Sequence, residues 1–525
     1  MNLGQIIKKI IEGDSGFGAS YPELGKAEGR FLDLEISDII IDSRLAKENA
    51  IFFALPSKSG GFDGSKYIQD AISRGAKVVV YNPDDALSMP LPCGQKEGGQ
   101  EFLSIRVHSP YKLLISFLKA FYSDLPDNIY AITGTNGKTS IAEFVRQILN
   151  LLGKKSASIG TLGIISDTDL GQDLNVGGLT TPDIVSLYKN LHILKSKDIN
   201  DVALEASSIG LEQGRMAGIK IKVAAFSNFS QDHLDYHLNM DEYFAAKMLL
   251  FNGQTESDGV AVLNADIVEY KAIRGVCLLQ KQRIISYGFN GDDFKIISSG
   301  IKNQLSEINF IYKGQNYQIK WQILAEFQVL NIICALAMIV INYDLSHQQI
   351  LALLDNFSAL RSASGRMQRI ASLKNNAQIF IDYAHTPDAL ENTLRFARKL
   401  TAARLIVLFG CGGNRDAKKR PIMGKIASDL ADIAIISDDN PRNEEPEKIR
   451  EQILAGCNQQ KTVVIEGRKI AIKTAIEMLK ENDVLILAGK GHEKYQIIGD
   501  QKLPFDEELI TLEFLSSISS LATHI

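Results

Sequence analysis

The stretch YAITGTNGKTS, residues 130 to 140, constrains the fold more than any other part of this sequence. The apolar residues before its glycines predict a short β-strand. The segment TSIAEFVRQILNLLG carries apolar residues at helical spacing, and Gly153 stands where a glycine C-cap belongs. The stretch therefore predicts a strand, a glycine-rich loop and an amphipathic helix in direct succession.

The glycine-rich loop resembles a phosphate-binding loop, although it is shorter than the usual G-x-x-x-x-G-K-[ST] pattern. Only two residues separate Gly134 from Gly137. Glycines let the backbone approach a phosphate closely, and the amides at the start of a helix attract an anion. Lys138 would then reach the terminal phosphates, and the Thr139 hydroxyl would ligate Mg²⁺. The alternative is a plain glycine turn, but the order of strand, loop, lysine and helix favours nucleotide binding.

The chain of 525 residues is too long for one hydrophobic core, and its patterning predicts three α/β domains. The turn-rich segment YSDLPDN suits a linker, so we expect an N-terminal domain at residues 1–127. A central P-loop-type ATPase domain is expected at residues 128–358. Over residues 359–525, strands such as RLIVLFG and DVLILAG alternate with helical patterns, which predicts a Rossmann-like domain with a parallel sheet.

The composition argues against several classes of protein. The net charge of −5 comes from 57 basic and 62 acidic residues without a long basic run, so we expect no nucleic-acid partner. The longest apolar run, IICALAMIVI, is about half the length that spans a bilayer, so we expect no membrane insertion. The N-terminal MNLGQIIKKIIEGD is typical of an amphipathic helix rather than a signal peptide. The five cysteines are far apart and suit a reducing cytoplasm.

Further candidates for chemistry lie at the ends of later strands. In the segment LEASS, Glu205 lies at the end of an apolar strand. Carboxylates at the ends of strands in parallel sheets often face a ligand and could hold a metal. The loop SNFSQDHLDYH adds Asp232, His233 and Asp235, and AAKMLLF places Lys247 among apolar residues. Taken singly, these are typical of a solvated carboxylate, a structural histidine and a lysine that reaches water. Together they favour a metal and phosphate site.

Nine segments, taken in order, resemble the motifs of the Mur ligases. They are TGTNGKTS, LEASS, SNFSQDHLDYH, EYFAAK, SGRMQ, DYAHTPDAL, FGCGGNRDAKKRPIMGKIA, SDDNPRNEEP and AGKGHEKYQ. The resemblance covers nearly the whole chain and is weakest at about residues 85–105 and about residues 265–325. It implies ATP-dependent amide formation, in which a substrate carboxylate takes the γ-phosphoryl group and an amine then attacks the acyl phosphate.

The resemblance also implies roles for individual residues at the nucleotide site. It assigns to ATP the residues Gly134, Thr135, Asn136, Gly137, Lys138, Thr139, Ser140, Asn331, Arg366, Asp382 and His385. It assigns catalysis to Lys138, Glu205, His233 and Lys247, and Mg²⁺ to Thr139, Glu205, His233 and a carbamate on Lys247. A carbamate would supply an anionic oxygen, whereas a free ammonium would repel the metal.

Two substrates follow from the resemblance. For UDP-N-acetylmuramoyl-L-alanyl-D-glutamate it implies contacts from Ser43, Arg44, Asp63, Gly64, Thr180, Thr181, Ser207, Gln213 and Arg215. For meso-diaminopimelate it implies Arg415, Asp439, Asn440, Pro441, Arg442, Gly489 and Glu493. Diaminopimelate has a second carboxylate, which Arg442 can bind through two parallel hydrogen bonds, and Glu493 suits its distal ammonium. DDNPR could also be an N-capping turn before a helix near EEPEKIR, and the same asparagine can both cap and bind.

Some positions depart from the pattern of the Mur ligase family. The departures are Ser65, Ile209, Ala325, Gln328 and Asn414.

Two other functions remain open. A folylpolyglutamate synthetase would share the glycine-rich loop and the lysine, but it would not account for the tripeptide DSR at residues 42–44 or for DNPR at residues 439–442. A nucleotide-hydrolysing switch or motor would require a full-length loop. We expect a monomeric, cytoplasmic ligase.

Overall fold

The structure is a computed structural model that describes residues 1–13, 29–56, 63–84, 101–171, 174, 178–234, 236–302, 305–322 and 326–517. Asp235 and Ala325, both named above, lie outside the described residues. The chain forms two compact units. The first unit comprises Met1–Asp127, Asp169–Asn200 and Gln213–Lys220, and the second comprises Asn128–Thr168, Asp201–Glu212 and Ile221–Ile525.

The described helices are α1 Leu3–Gly13, α2 Gly29–Leu32, α3 Ile68–Ser73, α4 Pro110–Phe121, α5 Lys138–Leu151, α6 Ile184–Ser196, α7 Ser208–Glu212, α8 Met240–Met248, α9 Tyr270–Leu279, α10 Glu326–Asn342, α11 His347–Leu354, α12 Pro387–Leu400, α13 Lys419–Leu430, α14 Pro446–Leu454, α15 Arg468–Glu477 and α16 Glu507–Ser517. The described strands are β1 Asp38–Ile40, β2 Ala50–Phe53, β3 Val78–Tyr81, β4 Leu103–Arg106, β5 Asn128–Thr133, β6 Ser156–Gly160, β7 Gly163–Ser166, β8 Asp201–Glu205, β9 Ile221–Phe226, β10 Thr255–Asn264, β11 Arg283–Gly288, β12 Phe294–Lys302, β13 Leu305–Tyr312, β14 Gln315–Gln322, β15 Gln368–Ser372, β16 Gln378–Asp382, β17 Leu405–Phe409, β18 Ile433–Ile436, β19 Thr462–Val464, β20 Val484–Ala488, β21 Tyr495–Ile498 and β22 Gln501–Pro504.

The first unit contains a four-stranded parallel sheet in the order β1, β2, β3, β4. Every residue of β2 and β3 is buried, as is usual for the continuous apolar strands of a parallel sheet. The N-terminal helix forms as predicted, and the buried face of α1 consists of Leu3, Ile6, Ile7 and Ile10.

Asp38, at the start of β1, forms an ion pair with Lys189 of α6. Its carboxylate lies 3.1 Å from the Lys189 ammonium on α6 and 3.1 Å from the Lys47 ammonium. The Tyr122 hydroxyl also donates a hydrogen bond to it at 3.2 Å. Burial alone would raise the pKa of Asp38, but Lys189 and Lys47 outweigh burial and hold that pKa below its ordinary value. The helix α6 is thereby tied to the N-terminal sheet.

The second unit contains a ten-stranded sheet in the order β14, β13, β12, β11, β10, β9, β5, β8, β6, β7. Its central strands β9, β5 and β8 are parallel, so their carboxyl ends lie side by side. Helix α10 packs in the core of this unit, and residues 332–340 are fully buried. The longest apolar run of the sequence is therefore a core helix. Among the described residues, no helix combines the length and the apolar character required to cross a membrane.

Helix α5 follows the glycine-rich loop as the apolar spacing predicts. Phe144 and Ile148, two of the apolar residues at helical spacing in this segment, are fully buried. The helix ends at Leu151, Gly153 adopts φ +72°, and the Lys154 amide donates to the Leu149 carbonyl at 3.0 Å. This left-handed glycine and the backbone bond that spans it form the expected C-terminal cap.

A six-stranded sheet in the order β15, β16, β20, β17, β18, β19 forms the C-terminal part of the second unit. All its neighbouring strands are parallel except β15 and β16. The predicted strands RLIVLFG and DVLILAG become β17 and β20, which are completely buried. The α/β fold class is confirmed. The three-domain division stays a prediction, because the first unit also includes residues 169–200 and 213–220.

Replacing Asp38 with asparagine keeps the side chain's size but removes the charge that two lysines neutralise. We expect Asp38→Asn to lower the free energy of unfolding by about 1–3 kcal/mol near pH 7. Because the folded-state pKa is depressed, the wild type's advantage is complete above the ordinary pKa of 3.8 and disappears as the pH falls through the folded-state value. Urea denaturation at several pH values measures this difference.

The matched control is Asp70→Asn, which removes an exposed carboxylate 2.9 Å from the Arg74 guanidinium. Exposed ion pairs contribute little, so the denaturation midpoint should barely change. An equal loss in both variants would contradict the role given to Asp38.

Candidate active site

The glycine-rich loop passes very close to its neighbours between β5 and α5. Gly134 adopts φ +140° and Gly137 adopts φ +87°. A β-carbon at Gly134 would lie 2.0 Å from the Ser227 hydroxyl oxygen, and one at Gly137 would lie 2.5 Å from the Asn331 side-chain oxygen. Neither position has room for a side chain. Helix α5 begins directly after the loop, so its N-terminus, with its partial positive charge, lies where a phosphate is expected.

Residues that follow β9 brace the loop from one side. The Asn136 amide donates to the Asn228 side-chain oxygen at 2.8 Å, and the Ser227 hydroxyl donates to the Asn136 carbonyl at 2.6 Å. The Thr135 hydroxyl donates to the Ser230 carbonyl at 3.0 Å. The sequence offered one signal for these bracing residues, which is their position at the end of an apolar strand, and their role was not predicted.

Two lysines, the half-buried Lys138 and the buried Lys247, converge on one carbonyl of the loop. The Lys138 ammonium donates to the Gly134 carbonyl at 2.9 Å and to the Thr135 carbonyl at 2.8 Å. The Lys247 ammonium donates to the same Gly134 carbonyl at 2.8 Å. Burial lowers the pKa of Lys138, and burial together with the charge of Lys138 lowers the pKa of Lys247 well below its ordinary value. An anion bound at the loop would relieve this concentration of positive charge.

Glu205, the last residue of β8, is buried beside the start of α5. Its carboxylate accepts hydrogen bonds from the Thr139 hydroxyl at 3.0 Å and from the Thr161 amide at 2.8 Å. Burial raises the pKa of Glu205, and the charge of Lys138 opposes that rise. Carboxylate and hydroxyl oxygens are the ligands that Mg²⁺ prefers, so Thr139 and Glu205 fit this metal. Within the described residues, no three His, Cys, Asp or Glu side chains form a cluster that could hold a metal ion.

The C-terminal part of the second unit reaches the loop at two points. The Arg366 guanidinium donates to the Thr139 hydroxyl at 3.3 Å, and the Asp388 carboxylate of α12 accepts from the Asn136 side chain at 3.0 Å. The Arg366 guanidinium also lies 4.5 Å from the centre of the Tyr383 ring. Its Nε is buried without a hydrogen-bond partner among the described residues. A phosphate oxygen is the kind of acceptor that this donor lacks.

Two predicted residues, His233 and His385, lie near the partly buried carboxylate of Asp232, which follows β9. Burial would raise the pKa of Asp232, but the neighbouring His233, His385 and Lys419 bring it to about 2. The His233 Nε2 lies 3.5 Å from the Asp232 carboxylate, and His233 adopts φ +53°. Burial lowers the pKa of His385 to about 4, so its ring is neutral near pH 7, and its Nδ1 lies 2.9 Å from the Tyr383 carbonyl. Asp232 and His233 also lie near Tyr243, the ring of which contacts His233.

Two of the predicted nucleotide residues already have partners within the protein. The Asn331 side chain donates to the Gln328 side-chain oxygen at 2.9 Å. The Asp382 carboxylate accepts from the Met367 amide at 2.7 Å and from the Thr393 hydroxyl at 3.1 Å. Asp382 therefore organises the turn that carries Arg366.

The residues DNPR lie beside the glycine loop after β17, and together they form a second candidate site, called the amine pocket below. Arg442 adopts φ +51°, and its amide donates to the Ile497 carbonyl of β21 at 3.1 Å. Its Nη1 donates to the Gly413 carbonyl at 2.9 Å, and a β-carbon at Gly412 would lie 2.8 Å from that nitrogen. Within the described residues, hydrogen bonds to this guanidinium involve only Nη1. The edge formed by Nε and Nη2 can still bind a carboxylate in parallel.

Asn440 organises the opposite side of this pocket. Its side-chain oxygen accepts from the Ile497 amide at 3.0 Å, and its Nδ2 donates to the Glu493 carboxylate at 2.8 Å. Helix α14 begins at Pro446 with Glu445 as its N-cap, so Asn440 does not cap it and the capping alternative is wrong.

The remaining predicted residues of this pocket lie on the same loops. Gly489 adopts φ +108°, and a β-carbon there would lie 2.9 Å from the Asp439 carboxylate. Pro441 lies between Asn440 and Arg442, and Arg415 lies in the loop between β17 and α13. The structure thus brings the residues of SDDNPRNEEP, FGCGG and AGKGHE together from three separate strand ends.

In the first unit, Arg215 joins two of the predicted sugar-peptide contacts. Its Nη1 donates to the Thr181 carbonyl at 2.8 Å, and its Nε donates to the Gln213 side-chain oxygen at 3.0 Å. Thr180 precedes Thr181 in the same segment. In the second unit, the Ser207 hydroxyl accepts from the Gly210 amide at 3.1 Å at the start of α7.

The other predicted residues of the first unit lie in two 3₁₀ turns. Ser43 and Arg44 belong to the turn Ser43–Leu45, and the Arg44 amide donates to the Asp42 carboxylate at 3.0 Å. Asp63 precedes the turn Gly64–Tyr67 as its N-cap. A β-carbon at Gly64 would lie 2.7 Å from the Leu55 amide nitrogen, so only glycine fits there.

The structure accommodates several of the family departures. Asn414 adopts φ +52°, a conformation that asparagine tolerates better than most residues. Gln328 donates to the Ser140 hydroxyl at 3.3 Å and so connects α10 to the start of α5. The buried Ser65 hydroxyl has no hydrogen-bond partner among the described residues. Ile209 lies within α7.

Comparison with known proteins shows the family to which this chain belongs. Residues 132–339 match the Mur ligase middle domain, and residues 365–491 match the Mur ligase, glutamate ligase domain. The chain therefore belongs to the Mur ligase family. The predicted resemblance and the prediction of a ligase are confirmed.

Individual relatives show which members of the family this chain is similar to. A protein from Rickettsia bellii named UDP-N-acetylmuramoyl-L-alanyl-D-glutamate--2,6-diaminopimelate ligase is 38% identical over 91% of this chain and 95% of its own length. A solved structure with that name is 28% identical, covers 93% of this chain and 96% of its own, and has a TM-score of 0.62. Folylpolyglutamate synthase from Mycobacterium tuberculosis is 18% identical over 72% of this chain and 91% of its own, with a TM-score of 0.58, and so shares the fold alone.

Arg366→Ala tests the anion site. Within the described part of the chain, the buried Nε of this guanidinium has no partner beside Thr139, so its loss should weaken binding of a non-hydrolysable ATP analogue about 10- to 100-fold. Arg366→Lys should recover only part of this affinity, since lysine lacks the planar fork that stacks on Tyr383. Calorimetric titration measures both, with the exposed Arg369→Ala as control. Unchanged affinity in Arg366→Ala would exclude the proposed contact.

Proposed function

We propose that this chain joins meso-diaminopimelate to UDP-N-acetylmuramoyl-L-alanyl-D-glutamate in an ATP-dependent reaction that forms an amide bond. One observation carries the assignment of the amine. Arg442 and Glu493 present opposite charges to one pocket, in the unit that also holds the phosphate-type loop. The names of the relatives support the same pair of substrates.

The chemistry requires an acyl phosphate because a carboxylate oxygen leaves poorly until it is phosphorylated. The substrate carboxylate would attack the γ-phosphorus of ATP, and the bond to the β-phosphate oxygen would break to release ADP. Lys138 and Arg366 would neutralise charge on the transferring group. The amine would then attack the acyl carbon, and the tetrahedral intermediate would expel phosphate.

Thr139 and Glu205 would hold Mg²⁺, with His233 near a second ion. When bound, the metal would neutralise negative charge on the phosphates. Lys247 suits carbamylation, because burial and the charge of Lys138 lower the pKa of its amine and favour the neutral form that attacks CO₂. The resulting carbamate would replace a positive charge with an anionic oxygen ligand.

Selection of the amine would depend on two contacts. Arg442 would bind the distal carboxylate of diaminopimelate through Nε and Nη2, and Glu493 would bind its distal ammonium. L-Lysine lacks that carboxylate, so it would leave Arg442 unpaired and partly desolvated. The expected discrimination from this single contact is about tenfold to a hundredfold.

The UDP-sugar peptide would bind through Ser43, Arg44, Asp63, Gly64, Thr180, Thr181, Ser207, Gln213 and Arg215. Polar side chains of these types suit sugar hydroxyls, a pyrophosphate and a carboxylate. A monomeric state and a cytoplasmic location stay predictions from the sequence.

Phosphate release by the purified protein tests the proposal. The assay contains ATP, Mg²⁺ and UDP-N-acetylmuramoyl-L-alanyl-D-glutamate, with either meso-diaminopimelate or L-lysine. We expect release with diaminopimelate, matched by a tripeptide product. Preference for lysine would preserve the ligase but overturn the specificity, and release indifferent to the amine would indicate a nucleotide switch.

Arg442→Ala should separate the two steps of the reaction. We expect the KM for diaminopimelate to rise at least about tenfold, because one charged pair of hydrogen bonds is lost. Formation of the acyl phosphate, trapped by reduction with borohydride, should be nearly unchanged because, within the described residues, Arg442 has no hydrogen bond to the phosphate-type loop at residues 134–140. Equal loss of both steps would refute the assignment.

Lys138→Ala should abolish both steps, since both require the phosphoryl group to be transferred. We expect phosphate release and borohydride-trapped acyl phosphate to fall together by at least about a hundredfold. The exposed Lys425→Ala, on α13, serves as the control for loss of a lysine charge. Retention of acyl-phosphate formation in Lys138→Ala would contradict the role of this lysine.

A further inference from the structure

Lys490, directly after Gly489 in the motif AGKGHEKYQ, is a fully buried ammonium in the candidate amine pocket. Its Nζ lies 3.1 Å from the Asn440 side-chain oxygen, 3.3 Å from the Glu493 carboxylate and 3.5 Å from the Asp439 carboxylate. Neither the sequence resemblance nor the proposed mechanism assigned a role to this lysine.

The surroundings of Lys490 explain how a charge can be buried there. A buried ammonium is costly unless hydrogen bonds and opposite charge compensate it. Asp439 and Glu493 supply that charge, and the rings of Tyr495 and Phe505 lie 5.9 Å and 6.0 Å from the ammonium. Because the side chain has no exposed surface, it acts on a ligand through the groups that it holds.

The contact of Lys490 with Glu493 shows how the lysine could act on a ligand. Lys490 and the Asn440 side chain both donate to the same oxygen, Oε2. No hydrogen bond from a described residue reaches Oε1 of this carboxylate. One oxygen is therefore fixed by the protein, and the other remains able to accept from a ligand ammonium.

Asn440 links this arrangement to the carboxylate-binding side. Its side-chain oxygen accepts from both Lys490 and the Ile497 amide, and Ile497 also accepts from the Arg442 amide. Lys490 is thus connected to Glu493 directly and to Arg442 through Asn440 and Ile497. Loss of its ammonium would release Glu493 first, because that contact is direct.

We propose that Lys490 is a positioning residue that makes the pocket specific for amino acids with a distal ammonium, a role that rests on the proposed function. It neutralises one of two adjacent carboxylates and orients Glu493 so that Oε1 faces the ligand ammonium. The cluster of Asp439, Glu493 and Lys490 then carries a single net negative charge. That charge matches the one distal ammonium of diaminopimelate.

Steady-state kinetics with two amines tests this role. One amine is meso-diaminopimelate, and the other is 2-aminopimelate, which keeps both carboxylates but lacks the distal amino group. For Lys490→Met we expect the KM for diaminopimelate to rise at least about tenfold. The KM or inhibition constant of 2-aminopimelate should change by less than about threefold. The KM for ATP and the yield of trapped acyl phosphate should not change.

Conservative and matched variants separate charge from structure. Lys490→Arg keeps the positive charge and should recover most of the affinity for diaminopimelate. Lys425→Met removes an exposed lysine from α13 and should leave every constant unchanged. The double variant Lys490→Met/Asp439→Asn restores the net charge of the cluster, and it should bind diaminopimelate better than Lys490→Met alone. It also serves if the single variant fails to fold.

Two results would overturn the inference. One is an equal loss of affinity for diaminopimelate and 2-aminopimelate, which would indicate a general collapse of the pocket. The other is unchanged affinity for diaminopimelate in both Lys490→Met and the double variant. Wild-type protein without any diaminopimelate-dependent phosphate release would instead refute the proposed function, so the two failures are distinguishable.

Discussion

The convergence of Lys138 and Lys247 on the Gly134 carbonyl is the interaction on which the rest of the candidate site depends. The half-buried Lys138 and the buried Lys247 share one neutral acceptor, and removal from water lowers the pKa of both. Among the described residues, Glu205 and Asp232 supply negative charge near these lysines. This arrangement favours an anionic ligand, and it also favours conversion of one lysine to an uncharged or anionic form.

The glycines and their neighbours make that convergence possible. A side chain at Gly134 would collide with the Ser227 hydroxyl, and the same hydroxyl holds the Asn136 carbonyl. Arg366 then approaches Thr139 from the C-terminal part of the unit, and its Nε has no hydrogen-bond partner among the described residues. In the amine pocket, by contrast, carboxylates and Asn440 compensate the positive charge of Lys490. The protein binds Arg442 through Nη1, so within the described residues the edge formed by Nε and Nη2 can bind a ligand.

Sequence patterns predicted the elements of the site better than their contacts. The apolar spacing predicted α5, its glycine cap and the buried strands β17 and β20, because these depend on residues close together along the chain. The position of Glu205 at the end of a strand was also predicted. The bracing by Ser227 and Asn228 was not, because it depends on β9 lying beside β5. The contact of Asp388 with Asn136 joins residues 252 positions apart.

By itself, the sequence determined the α/β class, the phosphate-type loop and the family, because short motifs and local periodicity carry that information. Tertiary structure alone decided which charges are compensated. Lys490 and Lys247 are both buried lysines, yet Lys490 lies between two carboxylates and Lys247 lies beside another lysine. Burial and opposite charge depend on which strand ends come together in space, and no local pattern along the chain specifies that.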